Sequence, residues 1–489
     1  MQGRVKLPGF EELQLCCSNV GFHRLVIIPF RYDLAVIGGG PGGYTTAIKA
    51  AQHGLKVACI DRRKTLGGTC LNVGCIPSKT LLSTSHHLQI ARDGITGVEI
   101  SGAKLKHEEM MTNKAKIIRT LDGGIRGLFK KNGVDFINGH GTLVSSHEIQ
   151  IEGGDKVTAK HIIIATGSEV TTFPGDAVKV DGKRIITSDE ALSLESVPKE
   201  MVVIGGGAIG LELASVWSRL GAKVTILEYS KTLCSVMDQD VSATIMKLIE
   251  KQGIVVNVGT KVLSGEATED GAVVMAEKDG KQMEFKGDVV LLAMGRRPFT
   301  RNLGLENLGI KTDRGFIVVD DQLRVPNHPN ICAIGDVIAG PMLAHKADED
   351  GSVALGNILK KDLGHVNWDQ IPMIIYTHPE VAGIGKSEQA LKASGLEYKK
   401  ASFPLAANSR SRIAEETEGF VKILADKDNK ILGGWIVGPH ASELVGQLTL
   451  MMACGMTTVD VSKVCFAHPT VSEAIKEACM AIHHKATHF

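Results

Sequence analysis

Aromatic residues make up only 4% of the 489-residue chain, and neither sign of charge is in excess, with 55 lysines and arginines against 54 aspartates and glutamates. That balance excludes the strongly basic face by which a protein meets nucleic-acid phosphates. No apolar run approaches the ~18 residues of a membrane-spanning helix; Val289-Val290-Leu291-Leu292-Ala293-Met294 is typical of the longest. Ten cysteines are too sparse to staple a secreted scaffold. Most of them (Cys59, Cys234, Cys332, Cys454) stand singly among apolar neighbours, as small buried hydrophobes do. No low-complexity segment occurs. What is plentiful is glycine, 55 residues, which suits tight turns and backbone lying close to ligands. With 43% hydrophobic and 22% charged residues, the chain reads as globular, and its length suggests about three or four domains. Residues 1–30 carry Arg4, Lys6 and Arg24, with Phe10, Leu13 and Leu15 at helical spacing. They read either as a transit peptide or as an unstructured extension, and Glu11 and Glu12 oppose the acid-poor transit type.

An internal echo organises the rest. Tyr32-Asp33-Leu34-Ala35-Val36-Ile37 runs into Gly38-Gly39-Gly40-Pro41-Gly42-Gly43, and Met201-Val202-Val203-Ile204 runs into Gly205-Gly206-Gly207-Ala208-Ile209-Gly210. Each is a short apolar strand, a G-x-G-x-x-G turn and a helical stretch, followed by a second strand ending in an acid, Asp61 or Glu228. In such a unit the first glycine permits the turn, the second admits a pyrophosphate, and the third lets helix and strand pack closely. The helix N-terminus offers free N–H groups to the phosphates, and the acid accepts from a ribose hydroxyl. A lone turn of this kind is weak evidence. Two of them, with the acid 23 residues after the first glycine each time (38 to 61, 205 to 228), predict two dinucleotide sites.

Further runs fit the same plan. Ile162-Ile163-Ile164-Ala165-Thr166-Gly167 and Val289-Val290-Leu291-Leu292-Ala293-Met294-Gly295 read as buried strands of parallel sheets. Glu148-Ile149-Gln150-Ile151-Glu152 reads as a half-exposed antiparallel strand, and Ile331-Cys332-Ala333-Ile334-Gly335-Asp336 as a strand closed by a glycine–acid turn. After about residue 370, strands and apolar helices suggest a separate α+β domain. The expected fold is α/β, with segments 31–180 (first nucleotide), 181–299 (second nucleotide), 300–370 (central) and 371–489 (C-terminal).

Cys70 and Cys75 stand apart from the other cysteines, in Gly67-Gly68-Thr69-Cys70-Leu71-Asn72-Val73-Gly74-Cys75-Ile76-Pro77-Ser78-Lys79, directly after the first unit. Their spacing would suit half a zinc site, but no second Cys/His pair of comparable spacing follows. They read as a redox pair or as two structural thiols; a following helix would favour thiolate at its N-terminus. Among seventeen histidines, His378 and His468 each precede proline, His378 within His378-Pro379-Glu380; five residues after His468, Glu473 supplies a carboxylate that could orient the imidazole as a base.

From Tyr32 to the C-terminus the chain resembles the FAD-dependent pyridine nucleotide–disulfide oxidoreductases, and within them the dihydrolipoamide dehydrogenases. Besides the segments above, the likeness rests on Ala165-Thr166-Gly167-Ser168, Met294-Gly295-Arg296-Arg297-Pro298, Met342-Leu343-Ala344-His345-Lys346, Ala407-Asn408-Ser409-Arg410 and Ala467-His468-Pro469-Thr470. It implies two Rossmann-like domains, a central domain and a C-terminal dimerisation domain. FAD would lie along Gly38, Gly40, Gly43, Asp61, Arg62, Gly68, Thr69, Lys79, Gly141, Thr166, Gly167 and Ser168, completed by Asp336, Met342, Leu343, Ala344 and His345. NAD would lie along Gly205, Gly207, Gly210, Glu212, Glu228, Val262 and Gly295. Cys70 and Cys75 would form the redox disulfide, Lys79 would pair with Glu212 beside the flavin, and His468 with Glu473 would be the base, lent to the other subunit of a homodimer. No metal is implied. Partners would be the lipoyl domains of 2-oxo acid dehydrogenase complexes and the glycine-cleavage carrier, in the mitochondrial matrix.

The chain departs from the family where Asp61 replaces the usual glutamate and Phe466 an additional histidine, and its last residues, 483–489, are not closely matched. A glutathione-type reductase using NADPH is the nearest rival, and Glu228 opposes it by repelling a 2′-phosphate. A non-catalytic scaffold is the rival of another class; it would have no use for Cys70, Cys75, Lys79, His468 and Glu473 together.

Overall fold

The computed structural model describes residues 30–489, so the expectation for residues 1–29 falls outside it. Both echoed units fold as the pattern predicts. The first runs β1 (Tyr32–Ile37), α1 (Pro41–Gln52), β2 (Val57–Asp61), α2 (Gly68–Val73), α3 (Cys75–Asp93), β3 (Asp135–Asn138) and β4 (Lys156–Ile164). The second runs β5 (Glu200–Ile204), α4 (Ala208–Leu220), β6 (Lys223–Glu228), β7 (Val255–Val258) and β8 (Val289–Leu292). Later in the chain come β9 (His328–Ala333) and α5 (Ala344–Leu359). The first sheet has the parallel order β9-β4-β1-β2-β3, and the second the parallel order β7-β6-β5-β8 with Ile185–Thr187 beyond β8. Every residue of β8 and nearly all of β1 is buried, which is why these strands read as continuous apolar runs rather than as alternation.

Segment 300–370, set apart in the sequence as a central region, joins the first unit here. β9 extends the first sheet beside β4, and α5 packs along α1. Beyond residue 370, five antiparallel strands form a sheet in the order Met373–Ile375, Glu380–Gly385, Ile431–Gly438, Phe420–Ala425, Lys399–Pro404, covered by Ala441–Ala453 and by α6 (Glu473–His483). One apolar cluster runs from Leu81 of α3 through Trp217 of α4 to Trp435 of this last sheet and fixes the three parts against one another. Lys422, 2% exposed, adds a polar clamp by reaching Asp238 at 2.8 Å, Asp240 at 2.6 Å and Glu388 at 2.7 Å. Among the described residues, no helix is long and apolar enough to cross a membrane.

His378 illustrates what burial does to a histidine. Its ring stacks on His86 with centroids 4.2 Å apart. Burial first, then the neighbouring His86 and Arg219, push its pKa down from 6.5 to about 4. The folded protein therefore binds fewer protons here than the unfolded chain between those two values, so stability is lost as pH falls through this window. That single group accounts for about 3 kcal/mol. Chemical denaturation between pH 7 and 4 should show this acid limb, and it should flatten in His378→Gln.

Candidate active site

The two glycine turns have the same geometry. Gly38 and Gly205 adopt φ of 113° and 112°, open only to glycine, and a Cβ on either would stand 2.1 or 2.3 Å from the carbonyl oxygen of Ala165 or Ala293. The third glycines, Gly43 and Gly210, are required because a Cβ there would lie 1.8 or 2.0 Å from the oxygen of the first glycine. The second glycines differ. A Cβ on Gly40 would meet nothing nearer than 3.8 Å, and one on Gly207 would meet nothing within 4 Å. Packing does not demand glycine at these two places, whereas a phosphate drawn against the backbone does. Neither helix that follows has a side-chain cap, so its first N–H groups are free for such a phosphate. Each acid braces its own turn: Gly39 N–H donates to Asp61 and Gly206 N–H to Glu228, both at 2.6 Å. The residues present therefore fit two dinucleotides, one at each turn.

A long cleft leads from the first turn into the centre of the molecule. Of the residues expected around FAD, it is lined by Gly38, Gly40, Asp61, Arg62, Gly68 and Thr69, then by Lys79, Gly141, Thr166, Gly167 and Ser168, and by Asp336, Met342 and Ala344 on its far wall. Three others do not face it. Gly43 lies beneath the turn, Leu343 precedes α5, and the His345 ring turns outward to the Pro372 carbonyl at 2.8 Å. Gly205 follows β5, Glu228 ends β6 and Gly295 follows β8, so that with Gly207 and Gly210 they stand at the carboxyl end of the second sheet, where open parallel sheets receive ligands, whereas Glu212, expected with them, lines the first cleft. Val262 lies in Lys261–Ala267, packed against the apolar cluster under that sheet.

Cys70 and Cys75 open into the cleft between the two units. Cys70 lies within α2 and Cys75 is the first residue of α3. The two thiols are unequal. A hydrogen bond from Cys70, and after it the charge of Lys79, bring Cys75 down to about 7, against burial. Cys70, bonded to Cys75 and buried, is pushed strongly up. Cys75 is thus the thiolate of the pair, as its place at a helix N-terminus favours. One turn along α3, Lys79 Nζ lies 2.7 Å from Glu212 Oε2, and the Tyr376 N–H holds the other Glu212 oxygen at 3.0 Å. Lys79 also lies over the Tyr376 ring at 4.6 Å.

Two contributors went unassigned in the sequence. Arg296 donates to Ser168 Oγ at 2.7 Å, and Ser168 in turn donates to Asp336 at 2.5 Å, a relay along the cleft wall. Its signal was its place directly after Gly295. Phe299 packs under the Arg62 guanidinium at 4.2 Å, and nothing in the local sequence marks it.

His468 Nδ1 lies 3.0 Å from Glu473 Oε1, and Glu473 Oε2 accepts the Thr470 N–H at 2.8 Å. Burial alone would push the Glu473 carboxyl up, but Thr470 and His468 outweigh it and hold the group below the usual range. The base–orienter pair is therefore formed, but on the surface: the His468 side chain is 69% exposed and does not line the cleft. Within one chain, the structure does not bring His468 to Cys70.

Residues 32–351 match the pyridine nucleotide-disulphide oxidoreductase family, and residues 371–479 its dimerisation domain. The chain is 50% identical over 468 residues to a dihydrolipoamide dehydrogenase of Chaetomium thermophilum, covering 94% of this chain and 92% of that protein. It is 46% identical over 466 residues to mitochondrial dihydrolipoyl dehydrogenase 1 of Arabidopsis thaliana, covering 93% and 91%. The crystal structure of LpdA from Mycobacterium tuberculosis superposes with a TM-score of 0.84 at 25% identity, over 92% of this chain and 99% of that one. Two dinucleotide turns, a cysteine pair in the cleft between them and these likenesses agree: the chain belongs to the pyridine nucleotide-disulphide oxidoreductases.

Proposed function

We propose that this chain is a homodimeric dihydrolipoamide dehydrogenase, which oxidises dihydrolipoamide on lipoyl carriers and passes the electrons through FAD to NAD⁺. The observation that carries the reading is Cys75, a low-pKa thiol at the N-terminus of α3, one turn from the Lys79–Glu212 pair and in the same cleft as the first glycine turn. Bound FAD supplies the two-electron exchange between a dithiol and a nicotinamide.

The chain's own residues handle the sulfur and proton chemistry. His468, oriented by Glu473, takes the proton of a substrate thiol. The resulting thiolate attacks Cys70 Sγ of the Cys70–Cys75 disulfide; a mixed disulfide forms and the electron pair of the broken S–S bond stays on Cys75. Lys79 and the α3 terminus stabilise that charge. The second substrate thiol loses its proton to solvent, and its thiolate attacks the first substrate sulfur, closing lipoamide and breaking the mixed disulfide; the released Cys70 thiolate takes the proton held by His468. The raised pKa of Cys70 and the lowered pKa of Cys75 match this division, one thiol kept protonated and the other ionised.

Glu228 bears on the choice of nucleotide, because a carboxylate at the end of β6 accepts from a ribose 2′-hydroxyl and repels a 2′-phosphate. Glu228→Ala should weaken NAD⁺ use and narrow the gap to NADP⁺, read as the ratio of kcat/KM values. The reading itself is tested on the purified protein: yellow colour, with NADH formed from dihydrolipoamide and not from glutathione. NADPH-dependent turnover of glutathione disulfide would favour the rival reductase, and a colourless protein the scaffold. The lipoyl carriers would be those of 2-oxo acid dehydrogenase complexes and of glycine cleavage. The mitochondrial relatives support the mitochondrial matrix as its place.

A further inference from the structure

Asp336 presents its carboxylate to the cleft from a turn that an ion pair holds from behind. The turn follows β9, and its first residue, Gly335, has φ of 73°, where a Cβ would stand 3.1 Å from Ala347. The Gly335 N–H donates to Asp350 Oδ2 at 2.9 Å, and Lys346 Nζ donates to the Gly335 carbonyl at 3.0 Å. Lys346 and Asp350 meet each other at 2.8 Å one turn apart on α5, and the side chains of both are 0% exposed. The peptide groups on both sides of Gly335 are therefore gripped by one buried ion pair.

Stability alone does not explain such a pair. Taking two full charges out of water costs several kcal/mol each, and well-packed apolar residues are often as stable in their place. Here the arrangement is more costly still, because Asp350 Oδ1 is buried with no hydrogen-bond partner. Burial is the largest influence on Asp350 and raises its pKa against the pull of Lys346. What the pair does do is directional. A peptide oriented by two charged groups cannot rotate, and the next residue along is Asp336. From the cleft side, Asp336 is fixed by Ser168 at 2.5 Å, itself fixed by Arg296 at 2.7 Å. The carboxylate is held from in front and from behind at the carboxyl end of the parallel sheet.

We infer that Lys346 and Asp350 are positioning residues for the flavin nucleotide: they fix the Gly335 peptides so that the Asp336 carboxylate meets a hydroxyl-bearing segment of bound FAD. The inference rests on the reading of the cleft as the FAD site.

The test replaces the pair with apolar side chains, Lys346→Met with Asp350→Leu, in the full-length protein. The apoprotein should keep the native circular dichroism and unfold cooperatively within a few degrees of native apoprotein. Its dissociation constant for FAD should rise at least about ten-fold, the loss expected when one or two oriented hydrogen bonds are given up, and the visible spectrum of bound flavin should lose fine structure. Native FAD affinity and spectrum in a folded double variant would overturn the inference. If the double variant does not fold, Asp350→Asn keeps an acceptor for Gly335 N–H without the charge; it too should weaken FAD, and native affinity in it would equally overturn the inference. Native protein purified alongside separates the two levels: absence of FAD there would refute the reading of the cleft and the inference with it, whereas FAD in the native protein and equally tight FAD in the variants would refute the inference alone.

Discussion

Cys75→Ser should abolish lipoamide turnover while the protein remains yellow. The serine cannot form the disulfide that accepts the substrate's electron pair, yet the glycine turns and the Asp336 wall that hold the nucleotide are untouched. The spectroscopic signature should follow the same atom. On partial reduction the native enzyme should develop a long-wavelength absorbance from the Cys75 thiolate against the flavin, absent in the variant. Its pH dependence follows from the thiol's pKa, which the Cys70 hydrogen bond and Lys79 lower to about 7. The band should be full well above pH 7 and fade as pH falls through that value, because the thiolate is then protonated. An ordinary thiol would already have lost it near pH 8.5. Alkylation of the reduced protein by iodoacetamide, read by mass, should report the same midpoint and favour Cys75 over Cys70. Native-like turnover in Cys75→Ser would refute the disulfide mechanism.

How far the sequence revealed these features depended on whether local chain geometry dictates residue type. Gly38 and Gly205 were legible because only glycine adopts their φ beside a neighbouring carbonyl, and Asp61 and Glu228 because each must reach back to its own turn. The strands at Ile162–Ile164 and β8 were legible because burial on both faces leaves an unbroken apolar run. Contacts between distant segments were not legible in this way. Lys79 meets Glu212 across 133 residues, and only the family resemblance paired them. Tyr376, which holds Glu212 through its backbone N–H, leaves no side-chain signal. The addition of β9 to the first sheet is likewise a long-range pairing that no local pattern announces. The His-Pro pairs at 378 and 468 show the distinction at close range. Glu473 faces His468, whereas Glu380, two residues after His378, turns instead to the Ser442 N–H at 2.9 Å. The sequence supplied a carboxylate near each histidine, and the element that follows decided its direction: Glu380 opens a strand, whereas Glu473 opens α6 and turns back to its histidine.

The exposed position of His468 leads to the second large effect. It stands on the C-terminal unit with its side chain 69% exposed and does not line the cleft that holds Cys70. A base outside the cleft that holds its thiol has no role within one chain. In a two-fold dimer formed through residues 371–479, each C-terminal unit can face the other chain's cleft, and both sites then use the same pair of surfaces. His468→Gln alone should lower turnover roughly 10²–10⁴-fold, about 3–5 kcal/mol of transition-state stabilisation. Cys70→Ser alone should abolish it. When the two inactive homodimers are unfolded together and reassociated, about half of the dimers should be mixed. Each mixed dimer has one site with both Cys70 and His468 and one with neither, so about a quarter of native activity should return. A site built within a single chain would leave every subunit lacking one group, and nothing would return. Mass spectrometry of the intact dimers counts the mixed species independently of activity. Zero recovery with mixed dimers present would therefore refute the shared site while leaving the separate roles of Cys70 and His468 intact.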